Sequence, residues 1–343
     1  MKELLTEKEK LVFEAIVSSF ILTANPVASS FIAQNSHLAY SPASIRTIMA
    51  RLEQKGYIYQ PHTSAGRVPT TLGYRLYVDH MMKRARLSGT EKERLRQVLS
   101  SNTGDFESVL RESTRILAHL THQLGIMISP HLEEGIFHRM DITRISSERL
   151  LLILSIKSGI VKTIFLEINS GIHEEQLDSL REILNERLHG LKLKEIREKF
   201  KEIVEDIRAE DSGLIHIFIR SAKQIFDFSE NNEVYLTGTH NILRQPEFTD
   251  NEKISGVVEL LEDKRIIIRL LGNKVSEEDL NIIIGEEIGE EAMENCSIIA
   301  ARYKIDNVIG MLGIIGPTRM NYSHLVPLVE FTARVISDPF EQN

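Results

Sequence analysis

At 343 residues with 42% hydrophobic side chains, the chain can bury two or three separate cores. Its longest apolar runs, LLLILSI from Leu150 and VIGMLGIIG from Val308, fall well short of the roughly 20 residues of a membrane span, and no signal pattern precedes Leu4. One cysteine, Cys296, excludes an internal disulfide and a thiolate-rich metal site and fits a reducing compartment, so a cytoplasmic protein without membrane contact is expected.

The net charge of −8 argues against nucleic acid until its distribution is read. Residues 1–100 hold 14 Lys and Arg against 8 Asp and Glu, a balance of +6, while the other 243 hold 27 basic and 41 acidic groups, a balance of −14. Between Tyr40 and Leu87, Arg46, Arg51, Lys55, Arg67, Arg75, Lys83, Arg84 and Arg86 stand against only Glu53 and Asp79. A basic module on an acidic body points to a polyanion-binding part joined to something else.

Along the chain, Thr6 and Glu9 have the capping-box spacing for a first helix through TEKEKLVFEAIVSSFILT, with Leu11, Val12, Ala15, Ile16 and Ser19 as its inner face. A second, shorter helix is expected in NPVASSFIAQNSHL, capped by Asn25, with Pro26 in the first helical position and Val27, Phe31 and Ile32 inward. The third, SPASIRTIMARLEQKG, has Ser41 as cap and Pro42 in the first turn. Ile45, Ile48, Met49 and Leu52 form its buried stripe, and Gly56 ends it. Three short helices with a tight link before the third make a helix-turn-helix. YIYQP, HTSAGR and VPT then read as strand, turn and strand, a wing beside the third helix, and a helix from Thr70 closes the unit. SGTEKERLRQVLSSNTGD reads as a charged helix and a polar linker.

From about Phe106 the character changes. SERLLLILSIKSGIVKTIFLEI reads as two strands around a Lys157-Ser158-Gly159 turn, and 173–208 as helix, on Leu177, Leu180, Ile183, Leu184 and Leu188 and then Ile196, Phe200, Ile203, Val204 and Ile207. Helix continues from Leu214 to Phe228. NIIIGEEI, CSIIAARY and VIGMLGIIG follow as strands, and SHLVPLVEFTARVIS as a final helix. Strands, a helical interlude and strands again make one α+β domain with an inserted helical subdomain, so the chain is an α+β multidomain protein.

With its apolar stripe inward, the third helix turns Ala43, Thr47, Ala50 and Gln54 outward, flanked by Ser44, Arg46 and Arg51. Small outward residues let a helix sink into the major groove. Arg46 and Arg51 can reach guanine edges or phosphates, Thr47 and Ala50 a thymine methyl, and Ser41 and Ser44 a phosphate at the helix N-terminus. The wing offers Thr63, Ser64 and Arg67 on a tip hinged at Gly66, suited to phosphate or the minor groove. The alternative for the same constellation is a winged helix used for protein contacts.

Elsewhere no chemistry is called for. GIIGPTRM lacks the lysine of a phosphate loop and reads as a strand-ending turn before Pro317. His119 and His122, three residues apart, lack a third ligand at suitable spacing, so no metal and no cofactor is expected. Glu286, Glu287, Glu290 and Glu291 read as a solvated face, Cys296 as a core thiol, and no catalytic residue is identified.

The run SPASIRTIMARLEQKGYIYQPHTSAGRVPTTLGYRLYVD, Ser41 to Asp79, closely resembles the heat-inducible transcription repressor family, HrcA, as do VYLTGTHNILRQPEF and GMLGIIGPTRMNY. The resemblance implies an N-terminal winged helix-turn-helix, a GAF-like α+β domain and an inserted, mainly helical dimerising domain. On this chain these are placed at 1–86, at 106–171 with 234–343, and at 172–233, with a linker helix at 87–105. It also implies a negative regulator of chaperone operons rather than an enzyme. Such a repressor binds an inverted-repeat operator in double-stranded DNA as a homodimer and is modulated by the chaperonin GroEL. A GAF-like domain can also hold a small effector, so a metabolite-sensing regulator is the alternative, against a domain interior filled by Ile283, Ile298, Met311 and Ile314.

Overall fold

The first helix starts where its cap dictates. In the computed structural model, which describes residues 5–36, 38–63, 65–101, 106–168, 173–205, 212–227, 233–248, 251–274 and 279–337, α1 (Glu7–Thr23) opens on a reciprocal capping box. The Glu9 N–H donates to Thr6 Oγ1 (3.3 Å) and the Thr6 N–H to the Glu9 carboxylate (2.8 Å). That carboxylate is buried and also accepts from Lys55 Nζ at 3.1 Å. Burial alone would raise its pKa, but the bonds from Thr6 and Lys55 outweigh burial and hold it below the usual carboxylate value. Because Glu9 is drawn inward, the buried face of α1 runs through Val12, Phe13, Ile16 and Val17, while Leu11, expected inside, is 43% exposed.

α2 (Ser29–Asn35) is shorter than expected, and its cap is Ala28, not Asn25. Pro26 precedes it, Phe31 is exposed, and Val27 is taken instead by an antiparallel bridge to Arg67. α3 (Pro42–Gln54) follows, then the antiparallel pair β1 (Ile58–Tyr59) and β2 (Val68–Pro69). Next is α4 (Thr71–Leu76), capped by Thr70 and extended by a π-helical turn at Tyr77–Met81. Val12, Phe13, Ile16, Ile32, Ile45, Leu52 and Tyr74 close one core between these elements.

After α5 (Gly89–Ser101) and α6 (Phe106–Thr121) come β3 (Leu124–Ile128), β4 (Phe137–Ser146), β5 (Arg149–Ile156) and β6 (Val161–Glu167). Then follow α7 (Glu174–Leu188), α8 (Leu193–Ile203), α9 (Ser212–Ile225), β7 (Val234–Thr237), α10 (Thr239–Leu243), α11 (Asn251–Glu262) and α12 (Lys264–Lys274). β8 (Leu280–Ile284), β9 (Cys296–Ile305), β10 (Val308–Pro317) and α13 (Tyr322–Ser337) complete the chain. The mixed α+β body is built on an antiparallel sheet of order β7-β3-β10-β9-β8. Both of its faces are covered: Ile299, Ala301, Tyr303, Leu312 and Ile314 belong to the core shared with α13, and Ile298, Ala300 and Ile315 to a second core with Ile267, Leu270 and Leu271 of α12. That is why β9 and β10 read as continuous apolar runs without alternation. No helix among the described residues is long and apolar enough to cross a membrane.

β4, β5 and β6 form a separate three-stranded sheet. Its inner residues, Met140, Ile142, Leu150, Leu152, Leu154, Ile164 and Leu166, are buried, as are Leu177, Leu180, Leu184 and Leu188 of α7, the helix packed on β4. The hairpin at 149–167 therefore joins β4 in a sheet of its own, on which α7 packs, and is not a strand pair of the five-stranded sheet. The boundary expected at residues 171 and 172 lies outside the described residues, between β6 and α7, which share this layer. Asn185 of α7 completes the edge strand β4: its side chain accepts from the Met140 N–H (2.7 Å) and donates to the Met140 carbonyl (2.8 Å), as a neighbouring strand would. The outer face of the sheet leaves Ile145, Val161 and Phe165 between 53% and 60% exposed.

Replacing Asn185 with Leu removes both bonds and strands two partly buried backbone groups, so stability should fall by about 2 kcal/mol. Denaturant unfolding followed by circular dichroism measures this, and an unchanged midpoint would remove Asn185 from the account of this layer.

Candidate nucleic-acid interface

The geometry of α3 follows from its cap and its stripe. Ser41 Oγ accepts from the Ser44 N–H at 3.2 Å, Pro42 occupies the first turn, and Ile45, Ile48, Met49 and Leu52 are all buried, as the spacing predicts. Ser41, Ala43, Ser44, Arg46, Thr47, Ala50, Arg51 and Gln54 are consequently all exposed. The face is smooth: Thr47 folds its hydroxyl back onto the Ala43 carbonyl (3.1 Å), and the Ser41 and Ser44 hydroxyls bond each other at 3.0 Å. Among the described residues neither Arg46 nor Arg51 has an ion-pair partner, and both are exposed at the rim of this face.

The hairpin beside α3 is held more tightly than a mobile tip. Gln60, a residue the sequence reading passed over, donates from its side-chain amide to the carbonyls of Thr63 (2.9 Å) and Ala65 (3.0 Å) and so braces the turn from within. Thr63 is exposed at the tip. Ser64, which was expected beside it, lies outside the described residues. Gly66 is a point of close approach rather than a hinge: a Cβ there would lie 2.4–2.6 Å from backbone atoms of Pro26 and Val27.

Arg67 was expected to reach outward to phosphate, and the structure turns it inward. Its N–H and carbonyl bond the carbonyl and N–H of Val27, each at 2.9 Å. Its guanidinium meets the Glu53 carboxylate of α3, Nε at 3.1 Å and Nη2 at 2.9 Å. One residue thus joins the root of the hairpin, the link between α1 and α2, and the end of α3. Neither Glu53 nor Val27 could be found as its partner from local spacing, because both contacts are made across the folded unit.

The other candidates resolve physically. Cys296 is buried and its thiol is pushed up to about 12, by burial first and then by the Glu247 charge, so it is no nucleophile at neutral pH. The His119 and His122 rings stand 6.3 Å apart, and among the described residues no group of three or more His, Cys, Asp or Glu could hold a metal. The acidic run is not simply solvated, since Glu287 pairs with Arg75 and Glu290 with Arg269. The turn after β10 has its amides spent on the fold, Thr318 N–H on Asn295 and Met320 N–H on Pro317. A cavity of 430 Å³ opens between α6, β7 and the β5–β6 turn, lined by Phe106, Leu110, Ser129, Ile160, Lys162 and Tyr235, and the Lys162 ammonium there donates to the Asp227 carbonyl at 2.7 Å.

Residues 107–326 match the family described as HrcA protein C terminal domain. The chain is similar to the heat-inducible transcription repressor HrcA of Chlorobium phaeobacteroides (strain DSM 266), with 38% identity over 96% of each chain. It is similar to that of Geobacter sulfurreducens, with 35% identity over 97% of each. A crystal structure described only as that of a hypothetical protein has the same fold, with a TM-score of 0.68 at 24% identity over 98% of this chain and 99% of that one. The chain belongs to the heat-inducible transcription repressor HrcA family, a family of transcriptional repressors and not of enzymes.

If Arg67 braces the hairpin against α3, a double-mutant cycle over Glu53→Gln and Arg67→Ala should give a coupling of roughly 0.5–1 kcal/mol, modest because both side chains are partly exposed. Thermal unfolding of the four proteins reads it, and additive single effects would mean that the pair does no bracing.

Proposed function

We propose that the protein represses transcription as a homodimer, each copy laying α3 in the major groove of one half-site of an inverted-repeat operator. In this reading α1 to α4 with the β1–β2 hairpin are a winged helix-turn-helix. The five-stranded sheet and its helices are the GAF-like domain; the three-stranded sheet at 137–167, expected in that domain, is here assigned with α7 to α9 to the dimerising insert because it forms a sheet of its own and α7 packs on it. The observation that carries the reading is the outward side of α3, where small side chains from Ala43 to Ala50 lie between exposed Arg46 and Arg51. A helix of about 10–12 Å diameter fits the major groove only if nothing bulky holds it off, and arginines at the rim can then reach base edges or phosphates. Thr63 at the hairpin tip is left to meet the backbone, while Arg67 positions that tip through Glu53.

An inverted repeat needs two copies related by a two-fold axis, because one winged helix reads one half-site. The exposed strip Ile145, Val161 and Phe165 offers a second copy an apolar face on the insert. The name of the relatives, heat-inducible repressors, supports chaperone operons as targets, and the resemblance supports the chaperonin GroEL as modulator.

Equilibrium binding at several salt concentrations tests the DNA reading. The inverted repeat should bind more tightly than a scrambled duplex, Arg46→Ala or Arg51→Ala should cost about 1–3 kcal/mol, and purified chaperonin should raise the operator-bound fraction. Equal affinity for both duplexes would end it. Phe165→Glu should leave the fold intact, since the side chain is exposed, but shift the protein to monomer in sedimentation; a dimer unaffected by the charge places the interface elsewhere.

A further inference from the structure

Three stretches that stand out in the sequence take no part in the DNA-facing side: Thr70–Asp79, Gln245–Phe248 and Pro317–Tyr322. The fold brings them together where the N-terminal unit meets the body. At the centre is Arg319. Its guanidinium pairs with the Glu247 carboxylate, donates to Gln245 Oε1 at 2.8 Å, and through Nη1 reaches the Ile21 carbonyl of α1 at 3.3 Å. That carbonyl lies in the last turn of α1, where carbonyls lack intrahelical partners, and α1 carries no basic residue of its own there. The cation that a helix C-terminus favours is therefore supplied by the body.

A second clamp works in parallel. Arg75 forks onto Glu287, with Nε at 2.9 Å from Oε1, and donates to the Ile282 carbonyl at 2.6 Å, so α4 is tied to β8 and the turn after it. Between the clamps the Tyr74 and Tyr322 rings pack with centroids 6.0 Å apart. The connection out of the unit is fixed as well. The Ala85 N–H donates to the Ser323 carbonyl at 2.8 Å, Ser323 donates to the Lys83 carbonyl, and Arg84 pairs with Glu330 at 2.7 Å.

A reading head on a slack tether accepts half-sites at many separations, whereas a clamped head accepts few. We propose that Arg319, with Arg75 as the second clamp, is a positioning residue that sets the angle of the recognition unit on the body and, in the dimer, the half-site spacing the protein accepts. This rests on the DNA-binding reading above, which it extends from which face binds to which operators are refused.

The test uses the full chain and an operator taken from a footprint on its own upstream DNA. Wild type, Arg319→Gln, Arg319→Lys and Arg75→Gln are titrated with a single half-site and with inverted repeats whose spacer changes one base pair at a time. Wild type should prefer one spacer by about tenfold or more. In Arg319→Gln and Arg75→Gln that spread should shrink to about threefold while single half-site affinity stays within about twofold of wild type, with Arg319→Lys between. Should Arg319→Gln fail to fold, Arg75→Gln carries the test, its side chain being less buried. Clamp variants that keep the wild-type spacer profile overturn the positioning role alone; wild type binding scrambled DNA as tightly as the repeat overturns the DNA reading, and this inference with it.

Discussion

The burial of Ile45, Ile48, Met49 and Leu52 decides which side of α3 meets solvent, and every proposed role of the protein depends on that side being open. At about 1.5–3 kcal/mol for each side chain removed from water, the stripe contributes roughly 6–12 kcal/mol toward one rotational setting of the helix. Nothing on the opposite side competes, since Ala43, Thr47 and Ala50 offer little surface and the serines bond among themselves. The open side of α3 is therefore a by-product of core packing: it is presented because its back is held.

The same economy governs charge. The basic excess between Tyr40 and Leu87 overstates what a polyanion would meet, because Lys55, Arg67, Arg75 and Arg84 each pair with a carboxylate within the fold: Glu9, Glu53, Glu287 and Glu330. Two of those carboxylates belong to the body. The asymmetry of a basic module on an acidic partner thus serves assembly, and of the eight cations only Arg46, Arg51, Lys83 and Arg86 have no ion-pair partner among the described residues. Charge counting along a sequence sums two uses that only the fold separates.

What was legible in the sequence was local. The caps at Thr6 and Ser41 and the stripe of α3 follow from spacings of three and four residues and are found where the spacing puts them. The errors are non-local. Asn25-Pro26 has the pattern of a helix start, but Val27 is claimed by Arg67 forty residues later, and the helix begins after it. Leu11 has the spacing of a core residue on α1, yet it is 43% exposed while Glu9, two residues before it, is buried and bonded to Lys55. β3, β4 and β7 are strands to which the sequence pattern assigns no element. Partner choice also separates β5 from β9 and β10, although RLLLILSI is as apolar a run as they are.

Pro327 shows why a breach of local rules can mark a joint. A proline inside α13 has no N–H to give the carbonyl of Ser323 four residues before it, a loss that destabilises an isolated helix by about 3 kcal/mol. Here the freed carbonyl accepts from the Ala85 N–H, an amide in the extended segment after α4 that belongs to no helix or strand. Each orphan satisfies the other, so the defect in α13 and the segment leaving the N-terminal unit stabilise one another. A helix complete in itself would have offered that segment no acceptor at this turn, and the N-terminal unit would be held by side chains alone.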